Sequence, residues 1–236
     1  MIGILMLNTQ FPRVIGDIGN PETFDRQALY YQVDQAVVDN IVSDQALPDS
    51  LVDQFVKGAK KLEKQGATVL GTSCGFLASS QSRIQAHIDI PIITSSLVLI
   101  PTLRTFFGTK TGIGVLTFDA DKLGPSHIDT KPNTDTSSSV SASSIVTPAI
   151  NIGGLPKDGE LYQCIKKNRL TLDLDLAWQD VHNTAKLLID THPETTLLLI
   201  ECTNISPYKD QLRAAFGLPV FDLVDALKWV KQSSLS

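Results

Sequence analysis

Two parts of this 236-residue chain carry the same short signature at one spacing, and that repeat restricts the fold more than any other feature. Thr68-Val69-Leu70, Cys74 and Ile90-Pro91-Ile92-Ile93 recur as Thr196-Leu197-Leu198, Cys202 and Leu218-Pro219-Val220-Phe221, each displaced by 128 residues. In both copies the cysteine precedes its proline by 17 residues. Ile2-Gly3-Ile4-Leu5 recurs as Ile113-Gly114-Val115-Leu116, displaced by 111 residues, so the second copy holds 17 extra residues before its cysteine. Lys131 to Ser144, dominated by Ser, Thr, Asp and Asn, lies in that interval and reads as an exposed polar loop. Self-similarity on this scale means two like units.

Hydrophobic period gives each unit its elements. Short apolar runs predict buried strands at Ile2–Leu7, Thr68–Leu70, Ile90–Ile93, Ile113–Leu116 and Leu197–Ile200. Leu51, Phe55, Val56, Ala59 and Leu62 recur at helical spacing up to Gly66, and further helices are predicted over Phe76–His87, Ser95–Phe107, Leu172–Leu188 and Phe221–Val230. Strand alternating with helix means βαβ units and a mostly parallel sheet. The expected fold class is α/β with two pseudo-symmetric lobes: residues 1–107 plus 218–236 as lobe A and 108–217 as lobe B.

Composition narrows the function classes. Hydrophobic residues make up 42% and charged residues 19%, as in a soluble globular protein. The net charge of −5, with acids and bases mixed, speaks against nucleic-acid or membrane partners. The apolar start at Met1–Leu7 is short and has no basic leader, so neither a signal peptide nor a spanning helix is expected. Three cysteines spaced far apart suggest no disulfide framework and no metal site, and a reduced, cytoplasmic setting follows.

Cys74 and Cys202 each fall where a strand end meets a helix start, the edge at which α/β sheets place ligands. A helix N-terminus lowers a thiol's pKa, and two lobes in pseudo-symmetry would aim one thiol at each face of a substrate. That geometry removes a proton from one face of a carbon and returns one to the other. Thr72, Ser73 and Gly75 beside the first thiol, and Thr203 and Asn204 beside the second, offer hydroxyls, an amide and backbone N–H groups for a carboxylate. Helix capping is the alternative role for Ser73, Thr203 and Asn204. Asn8 and Thr117, at the ends of the two first strands, are expected to line the same cleft. Cys164 has no special neighbours and reads as a small buried hydrophobe.

The segments Gly71-Thr72-Ser73-Cys74-Gly75-Phe76 and Ile200-Glu201-Cys202-Thr203-Asn204-Ile205-Ser206-Pro207-Tyr208, with the strand Ile113 to Thr117, resemble the aspartate/glutamate/hydantoin racemase family. Gly16-Asp17-Ile18-Gly19-Asn20-Pro21, followed by Thr23-Phe24, is similar to a segment in one branch of it. The resemblance covers most of the chain. It implies two flavodoxin-like lobes around a cleft, no cofactor, no metal, a small carboxylate substrate and two-thiol acid/base chemistry. The expected function is racemisation or epimerisation beside a carboxylate, with Cys74 and Cys202 as alternating base and acid.

The departures from that family keep other functions open. Gly75 and Phe76 stand where Asn-Thr commonly follows the first cysteine, Asn204 stands where glutamate racemases tend to have His, and Asn8-Thr9 replaces Asp-Ser. If Thr72 or Gly71 takes the first cysteine's place, one thiol acts alone, as in a decarboxylase or a cis–trans isomerase of a small diacid. A non-catalytic carboxylate-binding protein is the third alternative. Gly112-Ile113-Gly114 lacks a dinucleotide fingerprint. His87, His127, His182 and His192 have no ligand spacing and read as surface or capping residues, Asp173 and Asp175 as solvated, and Trp178 and Trp229 as core or lobe contacts. A homo-oligomer is plausible on general grounds.

Overall fold

The computed structural model describes residues 1–108, 110–128 and 150–233. The polar stretch expected as a loop, Lys131 to Ser144, and with it the extra residues of the second copy, lies outside them.

The first half contains β1 (Ile2–Leu7), β2 (Ala28–Val33), α1 (Val38–Ile41), α2 (Asp49–Lys64), β3 (Val69–Thr72), α3 (Gln81–Gln85), β4 (Ile92–Ile93) and α4 (Ile100–Phe107). The second contains β5 (Gly112–Thr117), α5 (Pro125–Ile128), β6 (Ile150–Gly154), α6 (Glu160–Lys166), α7 (Leu174–Thr191), β7 (Thr195–Ile200), α8 (Lys209–Phe216), β8 (Val220–Phe221) and α9 (Leu223–Ser233). Two four-stranded sheets result, ordered β2-β1-β3-β4 and β6-β5-β7-β8, with every pairing parallel. One order in both sheets is the repeat made visible, and 2-1-3-4 is the beginning of the flavodoxin-like order.

The equivalence extends to single hydrogen bonds. Leu70 N–H donates to the Pro91 carbonyl and Leu198 N–H to the Pro219 carbonyl, both at 2.9 Å. Ser73 N–H donates to Leu5 at 3.0 Å, as Glu201 N–H does to Leu116 at 2.8 Å. Residues 71–74 and 199–202 therefore leave their sheets at corresponding edges.

Helix α2 forms because Leu51, Val52, Phe55, Val56, Ala59 and Leu62 put an apolar stripe on one face, which is buried against the first sheet. It ends at Gly66, whose φ of +92° is strained for any residue with a Cβ. Helix α7 starts on Asp173, whose carboxylate accepts from the Asp175 and Leu176 N–H groups, while both acids stay exposed as expected.

Several expectations change. A 3-10 helix over Gly75–Ser80 and the short α3 replace the helix expected from Phe76 to His87, and a 3-10 turn over Ser96–Leu99 precedes α4. Phe221 ends a strand, so the last helix begins at Leu223. That helix packs on β3 and β4, whereas β8 pairs with β7, so the chain returns to the first sheet after Phe221, not at 218. His127 is buried, edge-on to Phe76 at 5.2 Å, and Trp229 is exposed. No described helix is long and apolar enough to cross a membrane, and no described cluster of His, Cys, Asp and Glu could hold a metal.

Candidate active site

The turns after β3 and β7 meet across the two halves. Thr203 Oγ1 donates to the Ser73 carbonyl at 2.9 Å, and the Ser73 hydroxyl accepts from Leu7 N–H at 2.9 Å, tying both turns to the end of β1. A narrow cleft of about 30 Å³ opens there, and Cys74 and Cys202 both line it. Its apolar walls include Leu7, Phe11, Val38, Val42, Phe76, Phe118 and Ile165. Ser73, Gly75, Thr203 and Asn204 complete it with two charged residues, Arg13 and Glu201.

Three of the residues expected at the site do not line this cleft. Asn8 turns outward, donating to the Asp34 carbonyl and accepting from Gln32 Nε2, both at 3.0 Å. Thr72 is buried, its hydroxyl bonded to the Cys74 and Thr94 carbonyls at 3.0 and 2.6 Å, so it shapes the turn. Thr117 reaches the cleft only through Glu201, donating to Oε2 at 2.6 Å. Asn204 lines the cleft and is bonded on both ends: Nδ2 donates to Asp17 Oδ2 at 2.6 Å, and Oδ1 accepts from the Cys202 thiol at 3.8 Å.

Arg13 and Glu201 are the additions that sequence reasoning did not reach. Arg13 lies in the loop after β1, its guanidinium paired with the buried Asp17 at 2.9 Å, bonded to Thr9 Oγ1 at 3.1 Å and set over the Phe11 ring at 4.8 Å. That buttress orients a planar fork of donors, the geometry that receives a carboxylate. Asp17 in the Gly16–Pro21 segment was the available signal: it joins Arg13 to Asn204.

Glu201, the residue before Cys202, is 1% exposed. Oε2 accepts from Thr117 and the carboxylate also accepts from the Phe118 N–H, whereas Oε1 has no hydrogen-bond partner. Burial pushes its pKa up to about 7, with those two donors pulling the other way. The carboxyl rests on Gly75: a Cβ there would overlap Oε1 and lie 2.5 Å from the Glu201 carbonyl oxygen. Glycine at 75 is a requirement of this approach.

The thiols differ from the sequence expectation. Cys74 is half-buried and Cys202 is 7% exposed. Burial first, and the Glu201 charge second, push Cys74 up to about 12 and Cys202 well above its ordinary value. The expected lowering by helix dipoles fails because neither thiol heads a long helix: six residues of 3-10 helix follow Cys74 and a three-residue one, Ser206–Tyr208, follows Cys202. Charge on Cys74 raises Cys202 further. Cys164 is buried elsewhere, its Sγ against the Thr171 carbonyl at 3.5 Å.

No protein-family model matches the chain. Over 94% of its length it is 27% identical to the dimethylsulfoniopropionate lyase of Durusdinium sp. clade D, spanning 71% of that protein. It is 25% identical, again over 94%, to dimethylsulfoniopropionate lyase 7 of Emiliania huxleyi strain CCMP1516, spanning 64% of it. Among solved structures, arylmalonate decarboxylase matches 96% of this chain and 90% of its own with a TM-score of 0.56 at 13% identity. Allantoin racemase from Pseudomonas fluorescens matches 100% and 93% with 0.55 at 11% identity. Aspartate racemase from Picrophilus torridus matches 99% and 94% with 0.51 at 16% identity. The fold of this chain is that of the aspartate/glutamate/hydantoin racemase family.

Proposed function

We propose that this chain is a cofactor-independent enzyme that removes the hydrogen beside the carboxylate of a small acid and expels a neutral group from the next carbon. Dimethylsulfoniopropionate is the substrate to test, with dimethyl sulfide and acrylate as products. One observation carries the reading: Cys74 and Cys202 line a single cleft in which, among the described residues, Arg13 is the cationic lining residue. The sequence relatives named as dimethylsulfoniopropionate lyases, matched over 94% of this chain, support it.

In this scheme Arg13 holds the substrate carboxylate by paired N–H donors. Phe11, Phe76 and Phe118 surround the sulfonium methyl groups, which aromatic faces attract and which need no hydrogen-bond acceptors. One thiol, as thiolate, takes the α-hydrogen, the C–H electrons become the double bond, and the Cβ–S bond breaks with its pair leaving on sulfur. No cofactor or metal enters the scheme. The three free thiols favour a reducing, cytoplasmic setting.

Racemisation of a small amino acid is the second reading, favoured by the pseudo-symmetric thiols. It is the weaker one because the sequence relatives matched over 94% of this chain are named as lyases. Decarboxylation of a diacid by one thiol would use the same cleft. Proton NMR of the enzyme in deuterated water with dimethylsulfoniopropionate, amino acids and a malonate separates the three. Acrylate and dimethyl sulfide from the first substrate are expected, whereas α-deuterated, inverted amino acid without elimination would replace the lyase reading by the racemase one.

A further inference from the structure

Glu201 is a buried acid for which the scheme above has no use. Its Oε1 lacks a partner, it lies on the peptide next to Cys202, and it presses on the residue after Cys74. An unpartnered carboxylate oxygen in an apolar wall is costly to keep. Thr117 alone would be satisfied by an amide, so the hydrogen bond to Oε2 does not explain an acid here.

We infer that Glu201 is the internal proton acceptor of the thiol pair. Resting on the function proposed above, the step is balanced as follows. The S–H bond of the attacking cysteine breaks as an O–H bond forms on Glu201 Oε1, and the sulfur lone pair takes the α-hydrogen as the leaving group departs. The cleft then holds a neutral acid and a neutral thiol, and Glu201 later returns its proton to water. The groups that face Glu201 are Cys74 from the turn after β3, Cys202 on its own turn, Thr117 from β5 and, across the cleft, Arg13. A carboxyl pKa of about 7 suits an acceptor that must empty and refill near neutrality. With the carboxylate charged and the cleft empty, both thiols stay protonated and inert, and a bound cation offsets that repulsion.

The test compares wild type, Glu201→Gln and Glu201→Asp by two readouts. With dimethylsulfoniopropionate, Glu201→Gln is expected to lower kcat by about 10²-fold or more and to erase the acidic limb near pH 7 from the kcat/KM profile, with Glu201→Asp restoring part of both. Alkylation by iodoacetamide at pH 8, located by mass spectrometry, needs no substrate: with the charge that keeps both thiols protonated gone, Cys74 and Cys202 should react faster in Glu201→Gln even as its kcat falls. An unchanged or raised kcat in Glu201→Gln, or equal or slower alkylation in the folded variant, would overturn the inference, since removing a mere like charge speeds both. If wild type leaves dimethylsulfoniopropionate intact, the proposed substrate fails, and the alkylation readout still decides whether Glu201 governs the two thiols.

Discussion

Thr203 Oγ1 donates a 2.9 Å hydrogen bond to the carbonyl of Ser73, 130 residues earlier, and so fastens the turn carrying one thiol to the turn carrying the other. Both residues are buried, so replacing Thr203 with Val strands a carbonyl away from water. Thr203→Val is expected to cost about 1–3 kcal/mol in urea denaturation. It should also lower turnover more than Thr105→Val, which loses an exposed hydroxyl bond within helix α4.

Gly75→Ala puts a methyl group into the Glu201 carboxyl and its carbonyl. Neither atom is the far end of a free side chain, since Thr117 and the Phe118 N–H hold the carboxyl. Overpacking of this kind costs about 1–3 kcal/mol, so a lower denaturation midpoint with reduced turnover is expected. Gly75→Ala with wild-type stability would show that the turn yields more easily than its contacts imply.

The Glu201 carboxyl gives stability a definite pH dependence. Its folded pKa, about 7, lies above the ordinary 4.5, so the folded state binds more protons between those values. Stability from this group is full below about pH 4.5 and declines as pH rises through about 7, a loss of about 3 kcal/mol. The raised thiols add nothing in this window because their losses begin above pH 9. Calorimetry should find the melting temperature of wild type falling relative to Glu201→Gln between pH 5 and pH 8; parallel curves would contradict this.

Arg13→Lys keeps the charge and removes the fork. Asp17 keeps a cation and the Asn204 amide, so the fold should persist. A rise of about 10-fold in KM with little change in kcat is expected, about 1.4 kcal/mol of carboxylate binding. A fall in kcat alone would place Arg13 in the chemistry instead.

The repeat was legible because it rests on buried central strands: β1, β3, β5 and β7 are apolar nearly throughout. The outer strands β2 and β6 were not. Ala28–Val33 and Ile150–Gly154 are half-exposed, so their sequences lack the apolar run that marks a strand. Helices α6 and α8 were passed over as well, each only about two turns long. Cys74 and Cys202 could be paired from spacing alone, but Arg13 and Glu201 could not. A charged residue looks the same in sequence whether solvent or a cleft receives it, and only the meeting of the two halves buries these two. The thiol environment was misjudged for the same reason: burial beside a carboxylate outweighs the dipole of a few residues of 3-10 helix.

The central claim is that the thiols of this cleft take the proton beside a carboxylate, and one comparison tests it directly. Wild type and the Cys74→Ser/Cys202→Ser double variant are incubated with dimethylsulfoniopropionate in deuterated water, and proton NMR follows acrylate formation and α-deuteration together. The account predicts turnover by wild type and a loss of at least about 10³-fold in the folded double variant, whose hydroxyls are far weaker bases than thiols. Turnover that persists in the double variant would contradict it.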